Sequence, residues 1–115
     1  MSAPAFDIHG LHIIAAHRFQ ARLIGLLGRR ALAPDQALWL APCNNVHTFF
    51  MRFSIDVVFI DRAGVVLAIV AHLTPWRVAA AWRAHGCLEL AAGGASRYAL
   101  TVGQCLPQLA AGPAR

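Results

Sequence analysis

Ile55-Asp56-Val57-Val58-Phe59-Ile60, then Asp61-Arg62-Ala63-Gly64, then Val65-Val66-Leu67-Ala68-Ile69-Val70, is the stretch whose reading decides the fold. β-Branched and aromatic residues crowd both runs, which suits a pleated strand. Between them Asp61 opens a turn, and Gly64 supplies the positive φ that a tight hairpin needs. Neither run alternates cleanly between apolar and polar. A strand with one face in water would alternate, so this hairpin is expected to be covered on both faces, at the centre of a sheet.

Towards the C-terminus, Thr74-Pro75-Trp76-Arg77 interrupts the pattern, and Val78 to Ala84 is ambiguous between helix and connection. Cys87-Leu88-Glu89-Leu90 reads as a short strand and Gly93-Gly94 as a break. Ala95 to Leu100 reads as one or two helical turns, and Gly103 to Leu106 as a last strand before a loose tail. Towards the N-terminus, His47 to Phe53 is expected to be extended. Ala41 to Val46 is the most loop-like stretch, because Pro42 and two Asn residues disfavour regular structure. Leu38-Trp39-Leu40 is strand-like and Ala33 to Gln36 a turn. Leu11 to Ala16 reads as a first strand. Phe19, Leu23, Leu26 and Leu27 share one helical face, which predicts a main helix from Arg18 to Gly28. The expected fold class is α+β: a mainly antiparallel sheet, open or barrel-like, with one main helix and a short second helical segment. A single domain spanning 1–115 is expected, with its core at about 11–106.

The chain has 115 residues, 58% of them apolar and 13% charged, with a formal net charge of +5. That length can bury a real core, and that composition is unlike a disordered segment. The uncharged stretches are too short, or too broken by Pro, Gly, His and Asn, to span a bilayer, so no membrane partner is expected. The N-terminus lacks the basic start and apolar core of a signal peptide. Three cysteines cannot complete an intrachain disulfide framework, which fits a reducing cytoplasm. All ten basic residues are arginine, and only Arg29 and Arg30 are adjacent. A nucleic-acid binder gathers its charge on one face, so nucleic acid is not expected as a partner. No phosphate loop, nucleotide fingerprint or nucleophile elbow occurs, and no cofactor is expected. Nothing in the sequence sets an oligomeric state.

Several side chains could carry chemistry. Arg52 and Asp56 lie four apart and would share a face of an extended chain. They form either a structural ion pair, because a buried carboxylate needs a partner, or a site in which Arg52 meets an anionic ligand and Asp56 orients it. Cys43 with His47 is the raw material of a thiolate nucleophile, and Asp56 would complete an enzymatic set. Cys43, His47, His85 and Cys87 form a weak zinc-ligand set, because neither spacing is a common finger form. Cys87 and Cys105 read as small core residues. Trp76 beside Arg77 could stack on a sugar or a base, or cap a sheet edge. Glu89, between Leu88 and Leu90, is expected to point opposite to both, towards solvent or a cleft, with Arg97 or Arg22 as partner.

Arg22 to Arg29, His47 to Asp61, Leu88 to Gly93, and Val102-Gly103 occur together and in order. In these blocks the chain resembles the bacterial and archaeal family called domain of unknown function 192, over about Leu11 to Leu106. Gln104 stands where that family commonly has Asp. The resemblance implies a compact α+β domain with a mainly antiparallel sheet, and it implies no reaction. The favoured reading is a domain that binds a small anionic or saccharide ligand through the region from Cys43 to Asp56. Arg52, Asp56, His47, Asn45, Trp76 and Glu89 are the candidate contacts. An enzyme using Cys43, His47 and Asp56, or a protein–protein interaction module, are the alternatives.

Overall fold

The computed structural model describes residues 5–16 and 32–111. Its strands are β1 (Ala5–Ile8), β2 (Leu11–Ala16), β3 (Gln36–Leu40), β4 (Asn45–His47), β5 (Ile55–Ile60), β6 (Val66–Leu73), β7 (Val78–Ala80) and β8 (Gly86–Ala91). One short helix, α1 (Gly94–Arg97), and a 3-10 turn at Pro107–Leu109 follow. Six strands form one sheet in the order β1-β2-β3-β8-β5-β6, and β4 pairs with β7 as a separate ribbon.

The turn after β5 forms as its residues require. The Asp61 N–H donates to the Val65 carbonyl at 3.0 Å, and the Gly64 N–H returns to the Asp61 carbonyl at 3.0 Å. The Asp61 carboxylate accepts the Ala63 and Val65 N–H groups at 2.9 and 3.0 Å, which consumes it within the turn. Gly64 has φ 85°, and a Cβ there would lie 2.5 Å from the Leu106 carbonyl oxygen, so only glycine fits.

Strand alternation sends side chains to two cores, one on each face of the large sheet. Val58, Ile60, Leu88, Leu90 and Trp39 join one, which α1 and the segment ending at Leu109 cover. Ile55, Val57, Phe59 and Cys87 join the other, covered by Val46 of β4, Met51 and Leu32, with Ala79 of β7 packed against it. All six residues of β5 are buried, as its lack of alternation predicted. Phe59 is fully buried, and burial of a side chain that size contributes about 1.5–3 kcal/mol.

Several expectations need correction. The fold class is not α+β: among the described residues 45% are in strands, the helix is a single short turn, and the fold is essentially all-β. The expected main helix, Arg18 to Gly28, lies outside the described residues. The six-stranded sheet is open rather than barrel-like, and it is mixed: its pairings are antiparallel except that β2 and β3 run parallel. The interval between Ala16 and Gln36 exceeds the dozen or so residues that a parallel crossover needs. Only β5 of the hairpin is central; β6 ends the sheet, and only its two end residues, Val66 and Leu73, are buried. The stretch from His47 to Phe53 does not stay extended. It turns at Phe50, which has φ 67°, and the Met51 N–H closes on the Thr48 carbonyl at 3.2 Å. Gly103 to Leu106 contributes one bridge, Val65 to Cys105, rather than a strand. Cys87 is buried, whereas Cys105 is exposed.

Candidate ligand-binding face

The ribbon of β4 and β7 has an inner and an outer side. Val46 lies opposite Ala79 and both pack on the core, so the flanking pairs, Asn45 with Ala80 and His47 with Val78, face outward. Two loops extend the ribbon at one end, 48–51 from β4 and 74–77 leading into β7. Thr48 ties them together. It is fully buried, and its hydroxyl donates to the Thr74 carbonyl at 2.6 Å and accepts the Arg77 N–H at 2.9 Å. The Thr48 carbonyl accepts the Trp76 N–H at 3.0 Å, and the Thr48 N–H reaches the Arg77 carbonyl at 2.9 Å. A threonine serves here because one small hydroxyl both donates and accepts.

This clasp presents a run of rings. The His47 imidazole stacks on Phe49 with centroids 4.7 Å apart, Phe49 on Trp76 at 5.7 Å, and Phe50 tilts against Trp76 at 4.7 Å. Phe50 and Trp76 are nonetheless 65% and 56% exposed. Both also sit at positive φ, 67° and 65°. A bulky residue in the left-handed region costs about 1–2 kcal/mol, and such strain gathers where a structure serves a site. Arg77 is exposed on the second of these loops, and Arg52 is exposed just beyond the first.

The structure thus gathers His47, Asn45 and Trp76 of the expected contacts on or at the end of the ribbon, and leaves Arg52 exposed just past the 48–51 loop. It places Asp56 and Glu89 elsewhere. Asp56 shares the alternation of Val58 and Ile60, on the face of the sheet away from the ribbon. It is 1% exposed, and its carboxylate accepts the N–H groups of His72 at 2.9 Å, Gly93 at 3.1 Å and Ala95 at 3.0 Å. No ion pair joins it to Arg52 among the described residues. The reason is a register shift: β6 slips against β5 between Ile55 and Val57, and Asp56 accepts the N–H of His72, itself at φ 54°. Glu89 is fully buried in β8, opposite Val57 and Leu38, and not in a solvent-facing position. Both faces of β8 are covered, so alternation did not imply exposure. Of its expected partners, Arg97 is exposed and Arg22 lies outside the described residues.

The Cys43 thiol donates to the Asn45 carbonyl at 3.0 Å, and the Cys87 thiol to the Cys43 carbonyl at 3.3 Å. Cys43 and His85 border a shallow cleft of about 230 Å³ with Pro42, Asn44 and Ala84. Among the described residues, no three His, Cys, Asp or Glu groups converge as a metal site, so Cys43, His47, His85 and Cys87 are not gathered into one. Asp56 lies across the sheet from His47, so the enzymatic set is not gathered either. No helix among the described residues is long and apolar enough to cross a membrane.

Phe50, Thr48, Val78 and Trp82 were not singled out from the sequence as contacts. Only Trp82, beside Arg83, carried the same Trp-Arg signal that marked Trp76.

No curated protein matches the chain. Two crystal structures share its fold. A candidate transcription regulator from Sinorhizobium meliloti 1021 superposes with a TM-score of 0.74 at 21% identity, covering 90% of this chain and 92% of that one. A protein of unknown function from Novosphingobium aromaticivorans DSM 12444 gives 0.69 at 17% identity, covering 90% of each chain. The family model described as "Uncharacterized ACR" matches residues 5–107, nearly the whole strand framework, and the chain belongs to that family, DUF192.

Proposed function

We propose that this protein is a binding domain, and that its ligand is a small acidic saccharide held on the outer face of the ribbon. One observation carries the reading: two exposed aromatic residues, Phe50 and Trp76, are held at positive φ and in mutual contact by a fully buried Thr48. Rings left more than half exposed recover little of that conformational cost from their own fold, whereas a ligand with an apolar ring face would stack on them. Arg77, next to Trp76 in the chain, and Arg52, two residues past Phe50, are exposed and suit a carboxylate, and the exposed Asn45 suits hydroxyl groups. Catalysis through Cys43, His47 and Asp56 has less support, because the Asp56 carboxylate is engaged by three backbone N–H groups on the opposite side of the sheet.

Titration of the 15N-labelled protein with galacturonic acid, and separately with galactose, tests the reading. The Trp76 indole and the amides of residues 48–52 and 74–78 should shift with the acid at millimolar concentration, and less with the neutral sugar. Trp76→Ala should remove the response, and Arg77→Ala should erase the preference for the acid. A protein silent to both sugars, or shifts centred on other elements, would refute it.

A further inference from the structure

The rings at the Phe50 end are one part of a longer exposed apolar row. From Val78 to Trp82 exposure alternates along the chain, and Trp76 and Arg77 before it are both exposed. Trp76 is 56% exposed, Val78 61% and Trp82 80%, while Ala79 and Ala81 pack on the core. Four of the five large exposed apolar side chains among the described residues, Phe50, Trp76, Val78 and Trp82, therefore lie on or at the ends of the ribbon. Trp82 is the most exposed of them, and Arg83 holds its guanidinium 5.5 Å from the indole centroid. The three strand residues Val78–Ala80 that lie between the two tryptophans rise by roughly 10 Å. A single sugar ring does not cover that length.

Charge follows the same row. Arg77 and Arg83 directly follow Trp76 and Trp82 and are exposed, Arg52 is exposed two residues past Phe50, and no acidic residue occurs from Gln36 to Ile55 or from Arg62 to Leu88. Between the aromatic ends, Ala80 offers a flat step and Asn45, directly across from it, an exposed amide. Aromatic platforms at both ends, a small residue and an amide between them, and arginines alongside form the complement of a chain with repeated ring faces and repeated carboxylates.

We infer that the ligand is an extended acidic oligosaccharide, bound across at least two aromatic subsites, Trp76 with Phe50 at one end and Trp82 with Arg83 at the other. This rests on the binding reading above and adds the second subsite. The length dependence of binding tests it, with galacturonic acid and its oligomers up to the hexamer measured by calorimetry. The hexamer should bind at least roughly tenfold more tightly than the monomer. Trp82→Ala should cost the hexamer roughly five- to tenfold, the usual worth of one aromatic contact, and leave the monomer unchanged. Trp82 is largely exposed, so the variant keeps the fold. Equal binding of monomer and hexamer, with Trp82→Ala silent, would overturn the second subsite and leave the first intact. No binding of any length would remove the binding reading itself. Trp82-dependent binding to phosphatidylglycerol vesicles, without binding to the oligomers, would overturn the proposal in favour of a membrane contact.

Discussion

Asp56→Asn isolates what the buried carboxylate does. In the wild type, one oxygen accepts the His72 and Gly93 N–H groups at 2.9 and 3.1 Å, and the other accepts that of Ala95 at 3.0 Å. Asparagine has one carbonyl oxygen. It can keep the pair from His72 and Gly93 as neutral hydrogen bonds, but its amide then meets the Ala95 N–H donor to donor. A buried N–H without an acceptor costs about 1–3 kcal/mol, and a hydrogen bond to a charged group exceeds a neutral one by up to about 1 kcal/mol. The expected loss is about 3 kcal/mol, a large part of a total near 5–15 kcal/mol. Urea unfolding followed by far-UV circular dichroism should show a lower midpoint at unchanged m-value. Arg52→Ala should cost less than about 0.5 kcal/mol, because Arg52 is exposed, and the two changes should add without coupling. Asp56→Asn within about 0.5 kcal/mol of wild type, or a coupling above about 1 kcal/mol with Arg52, would refute the assignment of the carboxylate to the backbone.

Gly86→Ala should destabilise by about 1–3 kcal/mol, because a Cβ there would lie 2.2 Å from the Trp39 ring, and the indole is buried and cannot retreat. Trp39→Leu in the same chain should restore part of that loss, and a neutral Gly86→Ala in urea unfolding would contradict the packing. Phe50→Gly and Phe50→Ala both remove the ring, but only glycine relieves the φ of 67°. The glycine variant should be more stable than the alanine variant by about 1 kcal/mol, while both lose galacturonic acid binding. An alanine variant as stable as the glycine variant would mean that no strain is held at Phe50.

The parts of the fold legible in the sequence are those set by local chemistry. The turn from Asp61 to Gly64 depends on one carboxylate and one residue at positive φ, both visible in four letters. The full burial of β5 follows from its lack of alternation. The loop at Ala41 to Val46 was read from Pro and Asn, although its last two residues enter β4. The misread parts depend on distant neighbours. Alternation placed Glu89 opposite Leu88 and Leu90, which is correct, yet both sides of β8 are covered. Arg52 and Asp56 sit at compatible spacing, but the turn at Phe50 and the slipped register of β6 give the carboxylate other partners. The exposed row from Trp76 to Trp82 was invisible as a row, because the same tryptophans could have closed a core.

The sequence by itself determined the family and the hairpin of β5 and β6 with its turn. These are written in turn chemistry, side-chain branching and the order of short motifs, which act over a few residues. Only the tertiary structure decided that the fold is essentially all-β among the described residues, that Asp56 and Glu89 belong to the interior, and that His47, Phe49, Trp76 and Phe50 form one run of rings with Phe50 and Trp76 exposed. Those outcomes depend on which strands pair and which face each layer covers. Thr48 and Arg77 meet across the ribbon though 29 residues separate them, and no local pattern carries that information.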